Sequence, residues 1–345
     1  MKNQNEPGPP PDLQIGPKPV EPHLPLVSST VAQGYRWRAI FDKVHYRPER
    51  ETFHEFLAMV VSWTLGETWV RKQLSIPSPS QHMIGTWMQD FSDYRMAPQD
   101  HRVELIDGRE VFSAIAPSSV SNLLQLGYDF YCLQSIDRLP VFLVERLKKT
   151  KTLQAARYEV SAAAIMARSG FDIEYLDNTD GHDKQCEFMA IYRDGLGRVG
   201  VEAKSRVRDF KINPDEYSYD EDYKGIYNLV RKAKKQGPHS DPFIIFIDVN
   251  LPPSAGYSPD SKPWLSSIKQ ALLPLGEASV DNPDPFSLLI PTNFGPIFSC
   301  IDDFSPHGEW GIVVPQYPSV SFPHDNIIRT IWDTIGRYTT IPREV

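Results

Sequence analysis

Apolar positions in the second half of the chain fall into short runs whose period changes from one run to the next. LQAARYEVSAAAIMARSG repeats them at helical spacing and closes on Gly170, a suitable left-handed stop. FDIEYL, CEFMAIYR and RVGVEAKSR have strand length, and the last two flank DGLG, a hairpin signal. YKGIYNLVRKAKKQ returns to a helical period, and PFIIFIDVNL reads as a buried strand. FSLLIPTNFG and EWGIVVPQ come next as strands, then IIRTIWDTIGRY as a closing helix. Helix, strand, hairpin, helix, strand predicts an α/β (α+β) unit over residues 151–345, with a mixed central sheet flanked by helices.

Residues 35–150 read as a mostly helical N-terminal domain that packs on, or positions something for, the second half. Phe53, Phe56, Leu57, Val60, Val61 and Leu65 recur at helical spacing, and SVSNLLQL predicts another short helix. VELIDGREVF, with Asp107-Gly108 at its centre, predicts a small hairpin. His54 and His82 read as ordinary helix residues, and no catalytic cluster is expected here. Residues 1–34 hold eight of the 31 prolines and few large apolar groups. Such a composition buries too little surface to offset ordering entropy, so a disordered arm is expected.

Composition narrows the function. A net charge of −8 excludes a uniformly basic nucleic-acid coat, so any such contact needs a local patch. Cys132, Cys186 and Cys300 match no metal spacing and predict no disulfide framework, which fits a reducing compartment. No apolar run reaches the length of a membrane span, and MKNQNEPGPP does not read as a signal peptide. A soluble, cytoplasmic protein is expected.

Against that background VGVEAKSRVR, residues 199–208, stands out, because it places Glu202 and Lys204 on one face of an apolar strand. An ion pair buried in a sheet gains little once desolvation is counted. With DGLG as the loop, Arg193 faces Arg198, Met189 faces Glu202 and Glu187 faces Lys204, so three charged groups converge within about 5 Å. Two carboxylates at that range suit a hard divalent cation, which lowers the pKa of its water and polarises a phosphoryl oxygen. Lys204 is placed to orient that water. Asp183, the competing first acid, falls opposite Arg208, about 13 Å down the hairpin at strand rise. Glu159 lies in the apolar stripe of the preceding helix, either at its solvent edge or pointing inward to complete the acidic cluster.

The bare pattern of an acid, any residue and a lysine occurs four times, at Glu202, Asp209, Asp222 and Asp260. Only Glu202-Ala203-Lys204 stands in an apolar strand with a partner acid one hairpin away. These residues, over roughly 153–251, resemble the PD-(D/E)xK, or restriction-endonuclease-like, nuclease superfamily. The resemblance implies a restriction-endonuclease-like sheet and cleavage of phosphodiester bonds, here of DNA, that depends on Mg²⁺, with Mn²⁺ as substitute. Carried over, Glu159 is the acid of the first core helix, and Glu187 and Glu202 are metal ligands assisted by the Ala203 carbonyl. Lys204 becomes the motif lysine and Gln236 an accessory polar position. Cys186-Glu187 departs from the Pro-Asp pair that names the superfamily. Members of this kind often serve genome defence or repair, and some keep the fold while losing catalysis.

Basic residues succeed the motif. Arg206, Arg208 and Lys211 come directly after it, and Lys224, Arg231, Lys232, Lys234 and Lys235 line the next helix. They are candidates for holding nucleic-acid phosphates. DEYSYDEDY between the two runs reads as a polar linker. GLGRVG matches a dinucleotide fingerprint in letters only, since a strand and not a helix comes after it. No phosphate-binding GxxxxGK(S/T), GxSxG or HExxH motif occurs. The alternative to an enzyme is a catalytically inactive module of the same fold that binds nucleic acid, or a protein partner through its N-terminal helical domain.

Overall fold

The computed structural model describes residues 29–96, 102–106, 109–113, 116–176, 186–193, 197–208, 223–238, 240–251, 263–273, 278–294, 309–323 and 325–342. Of the expected features, Asp183, Lys211, Cys300, the acidic stretch and most of the arm lie outside these residues.

The helix expected after residue 150 is α6, Thr150–Arg168, and its chain reverses at Gly170, whose φ of 90° is the left-handed stop. Three antiparallel strands come next: β6 (Phe171–Tyr175), β7 (Phe188–Tyr192) and β8 (Arg198–Ser205). Helix α7 (Tyr223–Ala233) then crosses to β9 (Phe243–Asp248), which runs parallel to β8. Helix α8 (Pro263–Leu272), unexpected from the sequence pattern, precedes β10 (Leu288–Asn293), parallel to β9. EWGIVVPQ yields only the two-residue β11, Glu309–Trp310, plus a single bridge from Val313 to Leu289. The sheet is mixed and six-stranded, in the order β11-β10-β9-β8-β7-β6, and α9 (Asp325–Gly336) closes the chain.

Strand alternation divides the sheet into two apolar faces. Phe188, Val201, Ala203 and Phe246 join the same buried cluster as α6 and the helices before it. Met189, Ile245, Ile247 and Leu289 face the other way and pack with Ile226 and Val230 of α7 and with Trp264 and Ile268 of α8. No helix of the described residues is long and apolar enough to cross a membrane.

The first half is less purely helical than its pattern implies. Thr30–Ala32 (β1), Tyr35–Ile40 (β2) and Lys43–Pro48 (β3) form an antiparallel sheet, so residues 30–34, expected in the disordered arm, belong to a strand and its turn. Gln33 and Gly34, with φ of 56° and 76°, make the two-residue turn that joins β1 to β2. Helix α1 (Phe53–Leu65) starts where expected, on a capping box between Thr52 and Glu55. Helices α2 (Glu67–Leu74) and α3 (Met83–Met96) come after it, and the predicted hairpin forms from β4 (Arg102–Ile106) and β5 (Arg109–Ser113). SVSNLLQL belongs to a longer helix, α4 (Ser118–Ser135), which continues through Gly127. A Cβ at Gly127 would lie 2.6 Å from the Leu57 carbonyl oxygen, so this glycine serves the close approach of α4 to α1 and not a helix end. Helix α5 (Val141–Leu147) leads into α6. His82 precedes α3, where its Nδ1 accepts the Ile84 amide at 3.3 Å.

Candidate active site

The hairpin pairs Phe188 with Val201, Met189 with Gly200 and Ile191 with Arg198. This is two residues away from the register expected with DGLG as the loop. Tyr192 N donates to Gly197 O at 2.9 Å, which carries this register to the edge of the loop. Gly197 begins the return with φ of 147°, a conformation open to glycine, which is why the turn closes there. Glu187 therefore does not face Lys204, and Met189 does not face Glu202. A shift of two keeps every side chain on its original face, so Glu202 and Lys204 remain together. Glu187 lies just past the ladder, and its amide donates to Val201 O at 3.0 Å while Phe188 is the registered partner of Val201. Two residues against one is the arrangement of a β-bulge, which re-aims a side chain.

The three groups meet as a cluster. Lys204 Nζ lies 3.3 Å from Glu187 Oε1 and also contacts Glu202 Oε1. Glu202 is fully buried, and its Oε2 has no hydrogen-bond partner among the described residues. Glu187 and Lys204 each keep 22% of their side-chain surface exposed. The Ala203 carbonyl alternates in direction with its neighbours, as Val201 O does, and so points to the β7 side, beyond the last registered β7 pair.

Glu159 points inward from α6, and the solvent-edge reading of its stripe does not hold. Its carboxylate is buried and takes a two-pronged ion pair from Arg146 of α5, at 2.5 and 2.6 Å. Burial pushes its carboxyl upward against those bonds, the charge of Glu187 adds to the push, and Lys204 opposes it. Burial likewise raises Glu202; Lys204 opposes this and Glu187 adds to it. For Lys204, burial is outweighed by the charges of Glu202 and Glu187, so its pKa is also raised. Crowded acids beside a lysine thus retain more protons than the same groups would in water. Arg146 obeys the same logic: burial opposes its charge, but the bonds and charge of Glu159, with Glu187, raise its pKa.

Two members of this cluster carried no signal in the sequence. Arg146 stands in a short helix outside the motif region. Tyr175 ends β6 with a buried hydroxyl that has no partner among the described residues, and after burial the charges of Glu159 and Glu187 raise its pKa. An apolar run with acids on neighbouring segments marks neither.

The other expected residues divide by position. Arg206 and Arg208 leave β8 just past Lys204, and burial lowers each to about 10. Gln154 of α6 clasps the Arg208 backbone at both its amide and carbonyl, and Asn250 bonds the Arg206 carbonyl at 2.8 Å. The start of α7 adjoins Arg206, since a Cβ on Gly225 would lie 3.1 Å from its guanidinium carbon. The end of α7 lies elsewhere. Gly237 and Pro238 pack on Phe243 and Gly200, which are registered partners, so Gln236, Lys234 and Lys235 stand at the end of β8 away from Lys204. Glu202 receives no hydrogen bond from Gln236. Lys234 pairs with Asp284 at 3.9 Å, and Arg231 lies over Tyr227. Lys232 and Lys235 are exposed, and the Lys224 side chain is outside the described residues.

Among the described residues no three of His, Cys, Asp and Glu are grouped so as to hold a metal unaided. The acids here are shared with Lys204 and Arg146. Magnesium, however, typically takes one or two carboxylates and completes its shell with water and substrate phosphate. The unpartnered Glu202 Oε2, with Glu187 and the unpartnered Tyr175 hydroxyl near the same acids, fits such a two-carboxylate site. No family model, curated protein or solved structure matches this chain.

Proposed function

We propose that this protein is a nuclease of the restriction-endonuclease-like kind, hydrolysing phosphodiester bonds of DNA with Mg²⁺, for which Mn²⁺ can substitute. The observation that carries the reading is the fully buried Glu202, with one oxygen on Lys204 and the other without a partner among the described residues, beside Glu187. A chain that needed only stability would gain little from such a group, because its desolvation is not repaid. The order α6, β6, β7, β8, α7, β9 around a mixed sheet supports the same reading.

Glu187, Glu202 and the Ala203 carbonyl would hold the cation. When bound, it would supply a water of lowered pKa and polarise a phosphoryl oxygen. Lys204, partly exposed beside both acids, orients the attacking water and donates to the phosphate oxygen on which charge develops. Arg206 and Arg208, leaving the same strand end, hold flanking phosphates.

The test is a cleavage assay with Mg²⁺ or Mn²⁺ on single-stranded, duplex and circular DNA, with RNA as comparison. Metal-dependent cleavage of DNA is expected. Binding of DNA with no cleavage under any metal would overturn the catalytic reading in favour of an inactive binding module.

A further inference from the structure

The cluster contains a cation that the motif does not account for. Arg146 sits in the last turn of α5 and meets Glu159 fork to fork, its two terminal nitrogens each donating to one carboxylate oxygen at 2.5 and 2.6 Å. The exposure of the two partners is unequal: the Glu159 side chain is 7% exposed and that of Arg146 31%. An arginine side chain that reaches a buried carboxylate while keeping about a third of its own surface in solvent can be met by a ligand arriving from outside. Its planar fork matches the paired oxygens of a phosphate as well as those of a carboxylate. The other cation, Lys204, is committed to Glu187 and Glu202. Among the described residues Arg146 pairs with Glu159, the acid not needed to hold a cation.

We propose that Arg146 is a phosphate-binding residue of this site, exchanging the Glu159 carboxylate for two nonbridging oxygens of a nucleic-acid phosphate. The substrate class rests on the nuclease reading. Charge supports the exchange. With every group ionised, the carboxylates of Glu159, Glu187 and Glu202 and the cations of Arg146 and Lys204 sum to a formal −1, which repels an anion. A divalent cation reverses the balance to +1, which then accepts one phosphodiester. Cation binding should therefore precede phosphate binding, and Arg146 is the donor whose partner can be replaced without disturbing Glu187 or Glu202.

A purely structural ion pair and an exchangeable one respond differently to removal of each half. The experiment measures binding of a fluorescein-labelled DNA duplex by anisotropy, with Ca²⁺ replacing Mg²⁺ to prevent turnover, over a series of salt concentrations. Wild type is compared with Glu159→Gln, Arg146→Gln and the double variant, each checked by thermal melting. Arg146→Gln and the double variant should bind about 10- to 100-fold more weakly, as expected for loss of one charged hydrogen-bonding partner. Their plot of log affinity against log salt should flatten by about one unit, the signature of one lost phosphate contact. Glu159→Gln should bind at least as tightly as wild type with an unchanged salt slope, since it removes the competing carboxylate.

Equal weakening by Glu159→Gln and Arg146→Gln, at the wild-type salt slope, would mark a structural pair and overturn the proposal. Wild-type binding by the double variant would overturn it too, as would a wild type that binds no DNA. If Arg146→Gln fails to fold, the double variant, which leaves no buried charge unpaired, carries the result. A wild type that cleaves DNA while the Arg146 variants bind normally would sink Arg146 and leave the nuclease reading standing. Arg146-dependent binding without metal-dependent cleavage would do the reverse.

Discussion

Glu187 reaches the Lys204 ammonium at 3.3 Å although the two are not cross-strand partners. The contact depends on the chain leaving the ladder at Glu187, whose amide shares Val201 with Phe188. One lysine thereby bridges an acid fixed inside the sheet and an acid at its frayed end, and that division gives the three groups separate roles.

Lys204→Ala should lower metal-dependent cleavage by about 10² to 10³, the usual cost of losing a group that stabilises developing charge. Glu202→Gln should weaken metal affinity instead, so raised Mn²⁺ should restore part of its activity but none of the lysine variant's. Single-turnover rates across a Mn²⁺ titration separate the two. Because Lys204→Ala leaves the buried Glu202 unpaired, circular dichroism must first show that the variant folds. Equal rescue of both variants by Mn²⁺ would contradict the assignment of roles.

Metal binding should release protons at neutral pH. Burial and the neighbouring acids raise Glu202 and Glu159, so the cluster holds protons to higher pH than free carboxylates do. A bound cation favours the ionised carboxylates, and affinity should therefore rise with pH through the neutral range. Calorimetry of Mn²⁺ binding in two buffers of different ionisation enthalpy reads the release. The same binding heat in both buffers would contradict it.

Tyr338 should matter for stability and not for cleavage. Its Oη lies 2.6 Å from Asp129 Oδ2 and 2.7 Å from Ser161 Oγ, joining the segment after α9 to α4 and α6. Burial raises Asp129 to about 6, and the Tyr338 hydrogen bond opposes this rise. Tyr338→Phe leaves that buried carboxyl short of a donor and should cost about 1 to 3 kcal/mol. Urea denaturation measures this; an unchanged midpoint would contradict it.

His82 should make the fold acid-sensitive. Burial lowers its pKa to about 4, from 6.5 in the unfolded chain. A depressed histidine contributes stability above pH 6.5 and loses it as pH falls towards 4, because the unfolded state then binds the extra proton. Protonation would also remove the acceptor used by the Ile84 amide. The stability difference between wild type and His82→Gln should therefore shrink from pH 7 to pH 4. A constant difference in melting temperature over that range would assign the acid sensitivity elsewhere.

Local and periodic features were legible in the chain alone. Apolar spacing placed α1, α6, α7 and α9, and strand-length runs placed β6 to β10, because side-chain burial obeys periods that a single chain displays. Period two also put Glu202 and Lys204 on one face whatever the register. Register itself was not legible: DGLG offers several closures, and the choice depended on Gly197 adopting a φ of 147°. The first sheet was missed because β1 and β3 expose most of their residues and bury no continuous apolar face. Packing in three dimensions was needed to bring Arg146 and Tyr175 to the acids, and to separate the end of α7 from Lys204. Those placements arise from helices and strands crossing in space, and no spacing along the chain encodes such a crossing.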